Sequence, residues 1–84
     1  MQNSEWLDEA ILVEGGLRGE LLVPRKVVWR GKTLTVVSTG RQWLADDITH
    51  VLVELHDRSR MELTFSHQSG WRVVRYWLPP AAAV

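Results

Sequence analysis

The chain has 84 residues, ten basic and ten acidic side chains, no cysteine and 45% apolar content. That length supports one small domain; the apolar content excludes a disordered chain, and the absence of cysteine excludes disulfides and thiolate-held zinc or iron–sulfur sites. Five of the seven aromatic residues are tryptophan, Trp6, Trp29, Trp43, Trp71 and Trp77, an excess that packing or binding must use.

The first nine residues, MQNSEWLDE, are acidic and polar and lack the basic start and apolar run of a secretory signal. No apolar stretch approaches the roughly 18 residues that span a bilayer, so the expectation is a cytoplasmic protein with no membrane partner. Residues 1–9 read as an N-terminal extension, 10–78 as a single β-barrel domain and 79–84 as a flexible tail after Pro79-Pro80. The N-terminal segment leaves two readings. Ser4 caps a short helix through Trp6, Leu7, Ala10 and Ile11, or Ala10-Ile11-Leu12-Val13 forms a short strand ended by Gly15-Gly16, the reading that β-branched residues favour. Pro24 then sits at a strand start or edge.

From residue 27 the dominant pattern is period two. Val27-x-Trp29 and Leu34-x-Val36 flank Arg30-Gly31, a two-residue hairpin loop that opposes Trp29 to Lys32 and Val27 to Leu34. Val51, Val53 and Leu55 alternate with His50, Leu52, Glu54 and His56; Met61, Leu63 and Phe65 alternate with Glu62, Thr64 and Ser66. Opposed residues share a face. A three-residue loop Arg58-Ser59-Arg60 therefore opposes Leu55 to Leu63, Val53 to Phe65, His56 to Glu62 and Glu54 to Thr64. Loop Gln68-Ser69-Gly70 sets His67 against Trp71 and Phe65 against Val73.

The final strand breaks its own alternation, because Trp71 and Val73 facing inward also bury Arg75. Burying a guanidinium is costly. Either a bulge near Val74 turns it out, placing Tyr76 and Leu78 inward and Trp77 in solvent, or the strand end leaves the core. Together these elements predict an all-β, antiparallel small barrel or roll of five to six strands, of the size of an SH3 domain.

The segment Pro24, Val27, Trp29-Arg30-Gly31-Lys32, Leu34, Val36, followed by Trp43, Asp57, Gly70-Trp71 and Val73, resembles an uncharacterised bacterial β-domain family. Its pattern is P-x-x-aromatic-x-W-R-G-K/R-x-Y/L-x-V, then a further tryptophan, an acidic-turn hairpin and a G-x-W strand. The resemblance spans about Ile11 to Leu78; Val27 and Leu34 replace the family's usual aromatics, and Arg58-Ser59 replaces its glycine turn. Members resemble accessory domains encoded with, or appended to, error-prone DNA polymerase components, which implies a DNA-repair setting and transfers no catalytic residue.

No site chemistry emerges for an enzyme. His50 and His56 are six residues apart on one strand, about 20 Å, too far to share a metal. His56 with Glu62 reads as a surface ion pair. Ser66 and His67 diverge to opposite faces. Gly15-Gly16-x-x-Gly19 lacks the strand, helix and lysine of a phosphate loop. The expectation is therefore no catalytic residue, no metal and no cofactor.

Two binding readings remain. Charge is segregated: residues 21–44 hold Arg25, Lys26, Arg30, Lys32 and Arg41 and no acid, whereas residues 1–20 hold five acids and one base. Basic residues interleaved with rings suit single-stranded or duplex nucleic acid, with Lys26, Arg30, Lys32, Arg41 and Arg72 on phosphates and Trp43, Tyr76 and Trp77 as stacking candidates. The plainer reading is that strands of opposite sign pair with each other. Outward Val28, Val37 and Leu52, plus an open edge strand, suit a protein partner or a homodimer. The protein-interaction module is the preferred reading, and nucleic-acid binding the alternative.

Overall fold

The computed structural model describes residues 4–80, so the expected tail over 81–84 and the first three residues lie outside the described residues. The described chain forms seven strands: β1 (Ser4–Ala10), β2 (Leu12–Arg18), β3 (Leu21–Trp29), β4 (Lys32–Ala45), β5 (Ile48–Leu55), β6 (Arg60–Ser66) and β7 (Gly70–Trp77). They make one antiparallel sheet in the order β1-β7-β6-β5-β4-β3-β2, and no helix occurs among the described residues.

β1 and β2 follow one another with only Ile11 between them, yet they stand at opposite ends of the sheet. Neighbouring Cα atoms are 3.8 Å apart, so both edges converge at Ile11 and the sheet must roll. No ladder joins β1 to β2, which leaves the roll open. The expected five to six strands become seven, and the barrel is not closed. Fourteen-residue β4 serves both flanks, pairing β3 at its start and β5 along the rest; register breaks after Val36 and Thr39 bend it.

Inside the roll, Val27, Val51, Leu55, Met61, Leu63 and Val73 are completely buried, with Ile11, Trp29, Leu34 and Val53 nearly so. Each such aliphatic side chain contributes about 1.5–3 kcal/mol by leaving water.

From Ser4 the chain is a strand, which corrects the helix reading and places Ser4–Glu9, expected in an N-terminal extension, in the sheet. Ser4 to Ala10 pairs with β7, and Ile11 breaks the expected 10–13 strand. Buried Ile11 donates its backbone N–H to the Trp71 carbonyl at 3.3 Å, which fixes the corner. β2 runs on through Gly15-Gly16 rather than ending there. Pro24 lies inside β3 rather than at its start, on a stretch of the strand that is an edge. It falls where β4 no longer pairs β3, next to the extra residue Arg25, so the ladder loses little by its missing N–H.

The Arg30-Gly31 hairpin has the expected register, Val27 with Leu34 and Trp29 with Lys32, and both loop residues take positive φ, 51° and 77°. The next two hairpins keep their faces and change their partners. Leu63 opposes Val51, Met61 opposes Val53, and His50 opposes Thr64, because the loop is His56-Asp57-Arg58, two residues earlier than the turn residues indicate. Asp57 holds that loop: its Oδ1 accepts the buried Ser59 amide at 2.9 Å and the Ser59 hydroxyl. His56 leaves the strand face, and its Nδ1 accepts the Thr35 amide at 3.0 Å. In the last hairpin Phe65 opposes Trp71 and Leu63 opposes Val73, with Gly70 at φ 66°.

Arg75 is resolved by the bulge. Leu63 opposes Val73 while Glu62 opposes Arg75, so Val74 is the extra residue and Arg75 turns to the outer face. Tyr76 packs on the core, its ring 4.9 Å from that of Trp29. Leu78 does not turn inward and remains exposed, and Trp77 is half-buried on the outer face rather than free in solvent.

Candidate interaction surface

Three cross-strand rows build the outer face of β1, β7, β6, β5 and β4. The first runs Ser4–Trp77–Arg60–Glu54–Ser38, the second Trp6–Arg75–Glu62–Leu52, and the third Ala10–Arg72–Thr64–His50–Trp43. Opposed side chains on one face lie within contact distance, so a sequence of small loops and alternating strands assembles one continuous patch.

At its centre the Arg75 guanidinium lies 4.3 Å from the Trp6 ring centroid and 4.7 Å from that of Trp77. Its Nη2 donates to Ser4 Oγ at 3.2 Å, and Nε is buried without a hydrogen-bond partner. No acid among the described residues reaches salt-bridge distance of Arg75; the indole faces hold the charge instead. Trp6 keeps 70% of its surface exposed. Beside Trp77 lies a shallow depression of about 270 Å³, lined by Ser38, Gly40, Leu52, Glu54, Arg60 and Met61. Gly40 leaves it open, since a side chain there would start 3.6 Å from the Leu52 Cβ.

The third row is more polar. Trp43 stacks on His50 with centroids 5.0 Å apart and planes 10° apart, and the Arg41 guanidinium lies 5.0 Å from the Trp43 centroid. His50 Nδ1 is 3.0 Å from Glu62 Oε2, so Glu62 pairs with His50 and not with His56. Arg72 Nε donates to Asp8 Oδ1, and its Nη2 donates to the Asp8 carbonyl at 2.8 Å.

The seven residues singled out from sequence therefore divide. Arg41, Trp43, Arg72 and Trp77 share this face. Lys26, Arg30 and Lys32 belong to the β3–β4 hairpin and lie elsewhere on the roll. Arg30 is committed: its Nη2 bonds Glu9 Oε2 at 2.6 Å, and its guanidinium covers the Trp29 ring at 4.3 Å. The Arg30 hydrogen bonds, with that from the Trp29 indole, hold the Glu9 carboxyl below its usual range, and Glu9 in turn holds the Arg30 proton more tightly. Of the two arginine ion pairs, Asp8–Arg72 joins the neighbouring strands β1 and β7, whereas Glu9–Arg30 ties β1 to the β3–β4 loop. Val28 and Leu52 are half-buried rather than exposed, and Val37 is exposed. Trp6 and Arg75 are the residues that period-two reading misses as a pair, because their contact needs the β1–β7 register.

Among the described residues no three His, Asp or Glu side chains come together as a metal site. No described helix is long and apolar enough to cross a membrane. Comparison with protein-family models, curated proteins and solved structures gives no match for this chain, so its own residues carry the functional argument.

Proposed function

We propose that this chain is a non-enzymatic accessory binding module that works by protein–protein contact through the Trp6–Arg75–Trp77 face. One observation carries the reading: a guanidinium held between two indoles, with the outer ring 70% exposed. Tryptophan and arginine dominate the energetics of protein interfaces. Arg75 is already ordered by its two rings, so little side-chain entropy remains to be lost on binding. The neighbouring depression over Leu52 accepts an apolar side chain of the partner. Resemblance of the W-R-G-K hairpin to domains that accompany error-prone DNA polymerase components makes a member of a DNA-repair assembly our candidate partner.

The test is affinity capture by immobilised chain from cells that express it, beside the Trp6→Ala/Trp77→Ala variant. Wild type retains a defined protein and the variant loses it. Equal capture by both forms, or none by either, contradicts the reading.

A second reading rests on Lys26, Lys32 and Arg41, which are exposed and have no acidic partner within salt-bridge distance among the described residues. They would contact nucleic-acid phosphates. Binding of labelled DNA that weakens steeply with salt and is lost in Lys32→Glu and Arg41→Glu supports this alternative; indifference to either excludes it.

A further inference from the structure

We propose that two copies of this chain associate through their β2 edges, antiparallel, about a two-fold axis at Gly16. The proposal goes beyond the contact face above and uses none of its residues.

β2 has a ladder partner on one side only. The direction of its free groups follows from β3. Leu22 donates its N–H to Gln42 Oε1 at 2.9 Å and accepts Gln42 Nε2 at 2.9 Å on its carbonyl. Both backbone groups of Leu22 thus point away from β2. Its register partner Leu17 then points its own N–H and C=O the other way, into the open edge, and alternation gives Gly15 the same direction.

A second copy pairs antiparallel only if outward groups meet outward groups, so the axis passes at a residue and never between two. An axis at Glu14 opposes the two Glu14 carboxylates, one at Gly15 opposes Glu14 to Gly16, and one at Leu17 opposes Glu14 to Glu20. With the axis at Gly16, Glu14 of each copy lies opposite Arg18 of the other. Gly15 of each copy then exchanges backbone hydrogen bonds with Leu17 of the other. Directly opposed unlike charges stabilise a pair of strands and like charges oppose it. The edge is therefore self-complementary in the way a two-fold interface demands.

The occupant is specified by this charge pattern. Zero net charge removes long-range repulsion between copies. The other edge, β1, carries Glu5, Asp8 and Glu9 in seven residues, so self-pairing there brings acids together. β2 offers no inward charge, proline or lysine to block pairing, and Leu17, 71% exposed, is the apolar surface that association covers.

Sedimentation equilibrium of the full chain over a wide concentration range gives the dimer, and charge reversal gives its register. Glu14→Arg alone and Arg18→Glu alone each raise the dissociation constant about tenfold or more. An equimolar mixture of these two variants restores association, as a heterodimer. An independent reading comes from Gly16→Cys. An added side chain at Gly16 meets nothing within 4 Å, the chain has no other cysteine, and opposed Cα atoms on the axis fall in the range a disulfide spans. Under mild oxidation Gly16→Cys forms a covalent dimer faster than the control Thr33→Cys. A chain monomeric at every concentration, a dimer indifferent to both reversals, or no excess cross-linking at Gly16 overturns the proposal. Trp6→Ala/Trp77→Ala leaves the dimer intact, so this result and partner capture succeed or fail separately.

Discussion

Glu9 accepts the indole N–H of Trp29 at 3.0 Å, across 20 residues of sequence. The bond ties β1 to the β3–β4 hairpin, and Arg30 donates to the same carboxylate. It thus fastens one side of an open roll near the corner made by Ile11.

Glu9→Gln removes the ionic part of this clasp and lowers the urea midpoint near neutral pH. Because the Glu9 carboxyl is held below its ordinary range, its contribution is complete above the unfolded-state value and is lost as pH falls through the folded one. Wild type therefore loses stability on acidification from about pH 5 to pH 3, and Glu9→Gln loses less over the same window. Urea unfolding followed by tryptophan fluorescence at stepped pH measures both.

Gly15 and Gly16 are adjacent and respond oppositely to a methyl group. A Cβ at Gly15 collides with the Val23 carbonyl oxygen and lies 2.9 Å from the Pro24 Cα, both backbone atoms, whereas at Gly16 it meets nothing. Gly15→Ala costs about 2 kcal/mol or more by forcing β2 from β3. Gly16→Ala stays within about 0.5 kcal/mol of wild type. Thermal denaturation of the pair separates close approach from backbone entropy.

The 56–58 loop contains a strain and a remedy. Arg58 sits at φ 73°, a left-handed conformation costing a side-chain-bearing residue about 1–2 kcal/mol. Arg58→Gly raises stability by about 0.5–1 kcal/mol, part of the relief being offset by glycine's unfolded-state freedom. Asp57→Ala strips partners from the buried amide and hydroxyl of Ser59 and costs about 1–3 kcal/mol. Burial raises the Asp57 carboxyl, but the Ser59 hydrogen bonds and His56 outweigh it and leave it below the ordinary value. This contribution too is lost on acidification. Denaturant titration reads all three effects.

Leu63 is completely buried between Val51 and Val73. Leu63→Ala costs about 2–5 kcal/mol, a large part of what a domain this small has in reserve. Loss of the cooperative thermal transition in that variant is the expected result.

Faces were legible in the sequence where register was not. The errors at the 56–58 and 67–69 loops move partners by an even number of positions, and with a side-chain period of two an even shift leaves every residue on its own face. The loops misled because Arg58 bears no mark of a positive φ and Asp57 acts through its side chain. β1 was illegible for a different reason: its inner-face residues are Glu5, Leu7 and Glu9, so no apolar alternation announces it. The surface was half readable. Arg41, Trp43 and Arg72 share a face with Trp77 only because the Val74 bulge reverses the parity of the end of β7. The acid partners of Arg30 and Arg72 lie 21 and 64 residues away in sequence, beyond any local pattern.

Contact of the Trp6–Arg75–Trp77 face with a protein is read out by a photo-cross-linking amino acid at position 6, with position 33 as control, in cells expressing the chain. The expected result is a discrete adduct from position 6 alone, destroyed by protease and resistant to nuclease. A nuclease-sensitive adduct, or equal labelling from both positions, would contradict it.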